Sequence, residues 1–432
     1  MIRSSNSVRK YSGVAIGSAL ALLALVILFN AVIDPFAMYR LADIPGINQY
    51  KPAIFKRVRL LKAFEVRRLK PDAVILGTSR SHVGLRPTHE AWNGFDGRVY
   101  NLAFDGATTE EMYAYLLHAQ AVHPLKQVVL GLDSYHPTRA PATTRPDFDP
   151  LLLEAPDSSW SWTRWITADL RLLTSFDTVR ASIQTIRSQT DAEPSWLAQN
   201  GQRLGEVFFH NAGEHFMTVG ARGYFEEIDR LEIEGKLQGR KIPPVKQTAS
   251  SPPSVSADET SLGYIRRIVE FCRAKRIDLR IFITPAHVHQ AEIAAAADEG
   301  TWIEGAKRDL VSLLAEEAAR HPGEAPIPLW DFSGYSSVTT EPLPGVGRRD
   351  EMRYYWDSSH FKEIVGDYLL DRIFGIANPQ RPLPDDFGVR LTADNIASVL
   401  LRDQAAQQWY RSTHPEEIGK IRALVAGELG SS

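Results

Sequence analysis

The sequence predicts an α/β protein, a parallel sheet with helices on both faces, behind a single N-terminal membrane helix and interrupted by a large, mostly helical insertion. Three observations carry this. No charged residue occurs from Tyr11 to Ile33; short apolar runs then alternate with amphipathic segments; and chemically able side chains fall where the apolar runs end.

The first run, almost wholly apolar from Val14 to Phe29, is long enough as one helix at ~1.5 Å per residue to cross a hydrocarbon core of ~30 Å. Arg3, Arg9 and Lys10 precede it, which places the N-terminus in the cytoplasm and everything after Asp34 outside that membrane. A cleaved signal peptide is the alternative, but Asn30-Ala31-Val32-Ile33-Asp34-Pro35 is a poor small-x-small cleavage site. A cluster of Lys56, Arg57, Arg59, Lys62, Arg67, Arg68 and Lys70 follows at helical spacing and reads as a solvated helix face, near anionic headgroups if the anchor holds it there.

Strands are expected at 73–77, 98–103, 127–132, 279–284 and 327–331. Helices are expected at 261–275, 302–320 and 362–374, and Thr108 with Glu111 forms a capping box for another. The resulting plan is a tail (1–12), an anchor (13–33), two parts of the sheet domain (34–137 and 258–376) and a helical C-terminal extension (377–432). Residues 138–257, far longer than an ordinary loop, form the insertion and a linker. Entering beyond a strand's C-terminal end, it reads as a lid or substrate-recognition region. Its aromatics Trp162, Trp165, Phe208, Phe209, Phe216 and Tyr224 suit stacking on sugar rings.

Composition narrows the function. The chain has 432 residues, 44% hydrophobic and 23% charged, with net charge -3. That is ordinary globular composition without the basic surface of a nucleic-acid-binding protein. The single cysteine, Cys272, excludes an intramolecular disulfide, and its apolar neighbours predict a buried thiol.

Gly77-Thr78-Ser79-Arg80-Ser81 follows the first strand, where a glycine turn can expose the Ser79 hydroxyl. A serine hydroxyl needs a base. Asp357-Ser358-Ser359-His360 lies before a late helix, and its spacing lets one turn present a carboxylate and an imidazole together, the division of labour in an acyl-transfer triad. A helix cap with a surface histidine is the plainer reading of that motif alone. His82 is a weaker candidate base, because nothing in the sequence orients it. His287 and His289 lack a third ligand for a metal. Neither a metal nor a cofactor is expected.

Together with Tyr100-Asn101-Leu102-Ala103-Phe104-Asp105-Gly106, these motifs, in this order, resemble those of SGNH/GDSL hydrolases. The chain is similar in particular to the membrane-anchored group containing the alginate O-acetylation proteins and DltD, whose serine motif reads Gly-x-Ser-Arg or Gly-x-Ser-Glu. Asp34-Pro35 and Thr284-Pro285-Ala286-His287 are also similar, and the resemblance covers roughly residues 10–137 and 258–390. It implies a three-layer, flavodoxin-like fold with Ser79 as nucleophile, His360 as base and Asp357 as its orienter. The backbone N–H groups of Ser79 and Gly106 would be oxyanion donors. The family's third donor is an asparagine after the third strand, where this chain has Asp133, a carboxylate that cannot donate unless protonated. Either Asp133 has another role or a donor comes from elsewhere. Arg80, Asp133 and His287 are candidate substrate contacts, although a salt bridge in the sheet's rim is the favoured reading of Arg80, and Asn101 is expected to be structural.

The leading expectation is an extracytoplasmic esterase or O-acyltransferase handling acetyl groups on a cell-surface polysaccharide, beside a membrane-bound acyltransferase partner. Two alternatives stand next to it: a non-catalytic glycan-binding or assembly factor, and a lipase or thioesterase with a deep apolar pocket.

Overall fold

The computed structural model describes residues 3–95, 97–133, 147–153, 162–189, 196–205, 218–234, 257–297, 300–345 and 351–430. Phe208, Phe209, Phe216 and residues 239–256 of the expected linker lie outside these. The chain forms two compact units, residues 1–70 with 145–197 and residues 71–144 with 198–432. The 138–257 segment expected as an insertion is therefore divided between them.

In the first unit, α1 (Arg3–Ile33) contains one stretch long and apolar enough to cross a membrane, Lys10–Ile33. Tyr11 to Leu25 are exposed on every side, and only the last two turns pack against the rest of the unit. There α1 meets α5 (Trp162–Thr174) and α6 (Phe176–Arg187). The contact face of α6 is small, formed by Thr178, Ala181, Ser182 and Thr185, so the helices approach closely. Buried Asn30 closes the joint, donating to Leu173 O at 2.7 Å and accepting from Ser182 Oγ at 2.8 Å. Asp34 ends the helix by accepting the N–H groups of Met38, Tyr39 and Arg40. Asn48 and Lys51 donate to the orphan carbonyls of Val32 and Ile33.

The basic cluster is only partly the solvated face its spacing suggested: Lys56, Arg68 and Lys70 are exposed, but two of its members are not. In α2 (Val58–Leu69) Arg59 and Lys62 are buried. Arg59 pairs with Asp147 at 3.6 Å, and the Arg67 guanidinium lies 4.0 Å from the Trp165 ring centroid. Counter-charges and aromatic faces from distant sequence offset the cost of burying these cations. Trp165, expected as a sugar platform, is instead core, edge-on to Phe64.

The second unit holds a six-stranded sheet of order β2-β1-β3-β4-β5-β6. The strands are β1 (Ala73–Leu76), β2 (Val99–Asn101), β3 (Gln127–Leu132), β4 (Asp278–Ile283), β5 (Leu329–Asp331) and β6 (Val389–Leu391). The first five are parallel, as their continuous apolar runs imply. β6 pairs antiparallel with β5, so the sheet is mixed rather than wholly parallel. That strand is three residues on the edge, with one side chain exposed and one half-buried, and leaves no continuous apolar run to read.

Every residue of β1 and β3 is buried, so both faces of the central strands are covered. Ile75, Val129 and Phe282 share a core with Val365, Leu369 and Ile373 of α11 (Glu363–Phe374). α8 (Ser261–Lys275) packs on β4 and on α4 (Thr109–Val122). The capping box of α4 is present, with Glu111 N donating to Thr108 Oγ1 at 3.1 Å and Thr108 N to Glu111 Oε2 at 2.9 Å. Cys272 is fully buried on α8, and burial pushes its thiol pKa up. The remaining helices are α3 (Ser79–Gly84), α7 (218–234), α9 (Val288–Ala296), α10 (Gly300–Arg320), α12 (Ile396–Thr413) and α13 (Pro415–Gly430).

Candidate active site

In this strand order the chain reverses direction across the sheet between β1 and β3. A crevice opens there beyond the carboxyl ends of the strands. Ser79 follows β1, Gly106 follows β2, Asp133 follows β3 and Thr284 follows β4. Residues remote in sequence thus share one rim.

β1 stops at Gly77, where a Cβ would overlap the Ser81 side chain and sit 3.2 Å from Gly131 O. Only glycine allows this approach. Thr78 then takes the N-cap position of α3 without a side-chain cap bond, and Ser79 is the first residue of that helix. Asn101 holds the short helix by donating to the carbonyls of Ser81 and Leu85, each at 2.9 Å, which is the structural role expected of it.

Asp357 and His360 sit on a tight turn. Trp356 N donates to His360 O at 2.9 Å, and Tyr355 bridges Phe361. Across the tip, Asp357 Oδ1 accepts the N–H groups of Ser359 and His360, both at 2.8 Å. His360 Nδ1 lies 2.9 Å from Asp357 Oδ2, and His360 Nε2 lies 2.9 Å from Ser79 Oγ. The three predicted side chains converge in the order the chemistry requires. Burial pushes the Asp357 carboxyl up, but His360 and the two N–H donors outweigh it and hold the carboxyl below its ordinary value. Burial also opposes charge on His360. Asp357 prevails, and the imidazole pKa is raised.

Two glycines bring the halves together. A Cβ on Gly366 of α11 would overlap Gly84 O of α3, and one on Gly84 would overlap the Phe361 ring. The helix carrying Ser79 therefore touches the segment that follows His360 through bare backbone.

Asp133 accepts from Thr78 Oγ1 at 2.5 Å and from Thr284 Oγ1 at 2.7 Å, and its carboxylate lies 3.8 Å from Arg80 Nε. Arg80 also donates to Ser359 Oγ at 3.2 Å and to Thr284 Oγ1 at 3.3 Å. Both residues tie the rim together, the salt-bridge reading of Arg80. Ser358 is fastened in turn by Gln290 Nε2 at 2.8 Å. Thr78, Thr284, Gln290, Ser358 and Ser359 were not singled out from the sequence. Thr284-Pro285 at a strand end and the doubled serine between Asp357 and His360 were the available signals.

His287 lines the cavity described below, where a substrate contact was expected, and its ring is also held in place. Nδ1 accepts from His289 N at 3.3 Å and Nε2 bonds Glu341 O at 2.8 Å, so both ring nitrogens are engaged and the side chain caps α9. Burial then lowers its pKa to about 3. For His82 one premise is corrected, since Asp105 orients it at 3.0 Å, but the ring is fully buried and does not line that cavity. Asp105 also pairs with Arg203, and Arg203 N donates to His82 O at 3.0 Å. This network fixes the turn at Gly106, whose φ of +61° favours glycine. Part of the insertion therefore buttresses the site from behind.

Among the described residues, His89, Glu90 and Asp371 are grouped closely enough to hold a metal ion, but the Arg381 guanidinium already bonds all three. Next to Ser79 lies a cavity of about 400 Å³, lined at one end by Ser79, Gly106, Asp133 and His360. It runs on between α9, α10 and α12, where alanines of α9 alternate with charged Glu304, Lys307 and Asp403. Among the described residues only Glu232 of α7 represents the insertion there.

The search against family models finds no match, and the search of curated proteins finds none either.

Proposed function

We propose that the chain is a serine acyl-handling enzyme of SGNH type, held at the outer face of a bacterial inner membrane by α1. It would remove or transfer a small acyl group, acetyl above all, on a cell-surface polysaccharide. The observation that carries this reading is the unbroken relay from Asp357 through His360 to Ser79 Oγ, with both links at 2.9 Å. The sheet order and the burial of its central strands support the three-layer SGNH arrangement.

In this mechanism His360 Nε2 takes the Ser79 proton as Oγ attacks the acyl carbonyl, and Asp357 stabilises the imidazolium that forms. The N–H groups of Ser79 and Gly106 stabilise the oxyanion, and Asp133 holds the rim rather than donating. His360 returns the proton to the leaving hydroxyl. Water or a sugar hydroxyl then attacks acyl-Ser79, giving hydrolysis or transfer. Glu304, Lys307 and Asp403 along the cavity support a polar acceptor, while Ile283, Trp302, Ile303, Leu310 and Leu400 give it the apolar surface that a lipase or thioesterase would use. A non-catalytic glycan-binding protein would have no use for the relay.

The test is a fluorophosphonate probe on the detergent-solubilised full chain. Wild-type protein should gain a covalent adduct on Ser79, and folded Ser79→Ala should gain none. A folded wild type that stays unlabelled would sink the proposal.

A further inference from the structure

The unit that holds α1 carries a feature the serine chemistry does not use. α5 and α6 pack on the end of α1 and leave their opposite faces open. Ile166 and Leu170 on α5, and Phe176, Ile183 and Ile186 on α6, are between 40% and 80% exposed. Between α6 and the 54–57 turn runs an open groove of about 1230 Å³. Phe36, Phe176 and Ile183 form its apolar side, and Lys56, Arg57, Arg180 and Arg187 its cationic side. Among the described residues none of these four cations has an ion-pair partner. Two acids also line the groove: Asp147, which is paired with Arg59, and Asp177 in the first turn of α6, leaving the cations in excess.

We infer that this face of α5 and α6 rests in the headgroup layer of an anionic phospholipid bilayer. The apolar side chains reach the acyl boundary, and Lys56, Arg57, Arg180 and Arg187 hold lipid phosphates. Continuity supports the choice of occupant, because α5 and α6 join α1 at the point where its exposed apolar shaft ends. Charge complementarity supports it too. Helices with an apolar face flanked by arginine and lysine lie in the bilayer interface, and each basic residue near an anionic surface adds to the attraction. A protein partner would need an acidic surface matched to these cations, whereas an anionic bilayer supplies the charge and the apolar layer together. The inference rests on reading α1 as a membrane span, not on the catalytic proposal.

The experiment uses the full chain in nanodiscs of mixed phosphatidylcholine and phosphatidylglycerol. Cys272 is fully buried, so Phe176→Cys supplies one reactive thiol for a bimane label. Shallow doxyl-labelled lipid of either headgroup should quench the label, the anionic one several-fold more strongly. Replacing a single cation, as in Arg180→Gln or Arg187→Gln, should cut that preference by up to about fivefold. Replacing all four by Gln should abolish it, with the melting temperature unchanged; if the fourfold variant misfolds, the single variants carry the test. Absence of quenching would overturn the inference and point to a protein-covered or bare face. Equal quenching by both lipids would overturn the phosphate contacts. Loss of the preference on adding millimolar inorganic phosphate would make the groove a soluble-phosphate site instead. None of these readouts involves Ser79, so this inference and the catalytic one fail separately.

Discussion

Asp133 gathers two threonine hydroxyls and the Arg80 guanidinium on one carboxylate. An amide in its place offers one accepting oxygen instead of two, so Asp133→Asn leaves a threonine hydroxyl unmatched and Arg80 without its counter-charge. The expected loss is about 1–2 kcal/mol of stability, read by denaturant unfolding. Asp357→Asn acts differently, because it removes the charge that raises the His360 pKa. For wild type the acid limb of the labelling rate should lie above pH 6.5, the ordinary histidine value. In the variant that limb should shift to lower pH, with the plateau rate down by about 10⁴-fold. A limb that stays put would mean that His360 is not the base. The triad residues were legible because strand-end chemistry and turn spacing are written locally. The uses of Asp133 and His287 were not, since each depends on partners from other strands and loops.

Elements meet in this site without side chains between them. The bare crossing of α3 and α11 at Gly84 and Gly366 sets the distance between nucleophile and base. Gly84→Ala should cost about 1–3 kcal/mol through overpacking against Phe361, measured by thermal unfolding. It should also slow probe labelling by about 10²-fold, the scale of an ångström-sized misplacement. Unchanged labelling in the folded variant would show that the contact does not position Ser79. The long elements were readable because burial repeats along them: α8 spans the expected 261–275, and β3 the expected 127–132. α3 and β6 were missed, being too short to show a period. α9 was hidden behind Thr284-Pro285-Ala286, which reads as a strand end and not as the approach to a helix.

Across the sheet-bearing unit, α7, α9 and α13 are joined by buried charge. His289 Nδ1 lies 2.7 Å from Asp229 Oδ2 and its Nε2 lies 3.8 Å from Glu417, which also accepts from Tyr410 OH at 3.1 Å. Burial opposes the imidazolium, but the two carboxylates raise His289 to about 9 from 6.5, while the neighbouring His289 lowers Glu417 to about 2 from 4.5. The His289 contribution to stability is complete below pH 6.5 and is lost as pH rises through about 9. That of Glu417 is complete above pH 4.5 and is lost as pH falls through about 2. The melting temperature should therefore decline from pH 6.5 to 9, and His289→Asn should flatten that decline; an unchanged slope would contradict the assignment. The division of the insertion between two units was not legible, because the polar contact made by Asn30 within an apolar run gives no period to read.

That same contact makes α1 a cantilever. Its last two turns are clamped by Asn30, Asn48 and Lys51, and the rest is free. The Lys10–Ile33 stretch is about 36 Å long at 1.5 Å per residue, against a hydrocarbon thickness of about 30 Å. A loosely tethered helix would absorb that excess by leaning. With α1 spanning a bilayer as proposed, a clamped helix would pass the lean to whatever grips it, and bilayer thickness would become a torque on the first unit.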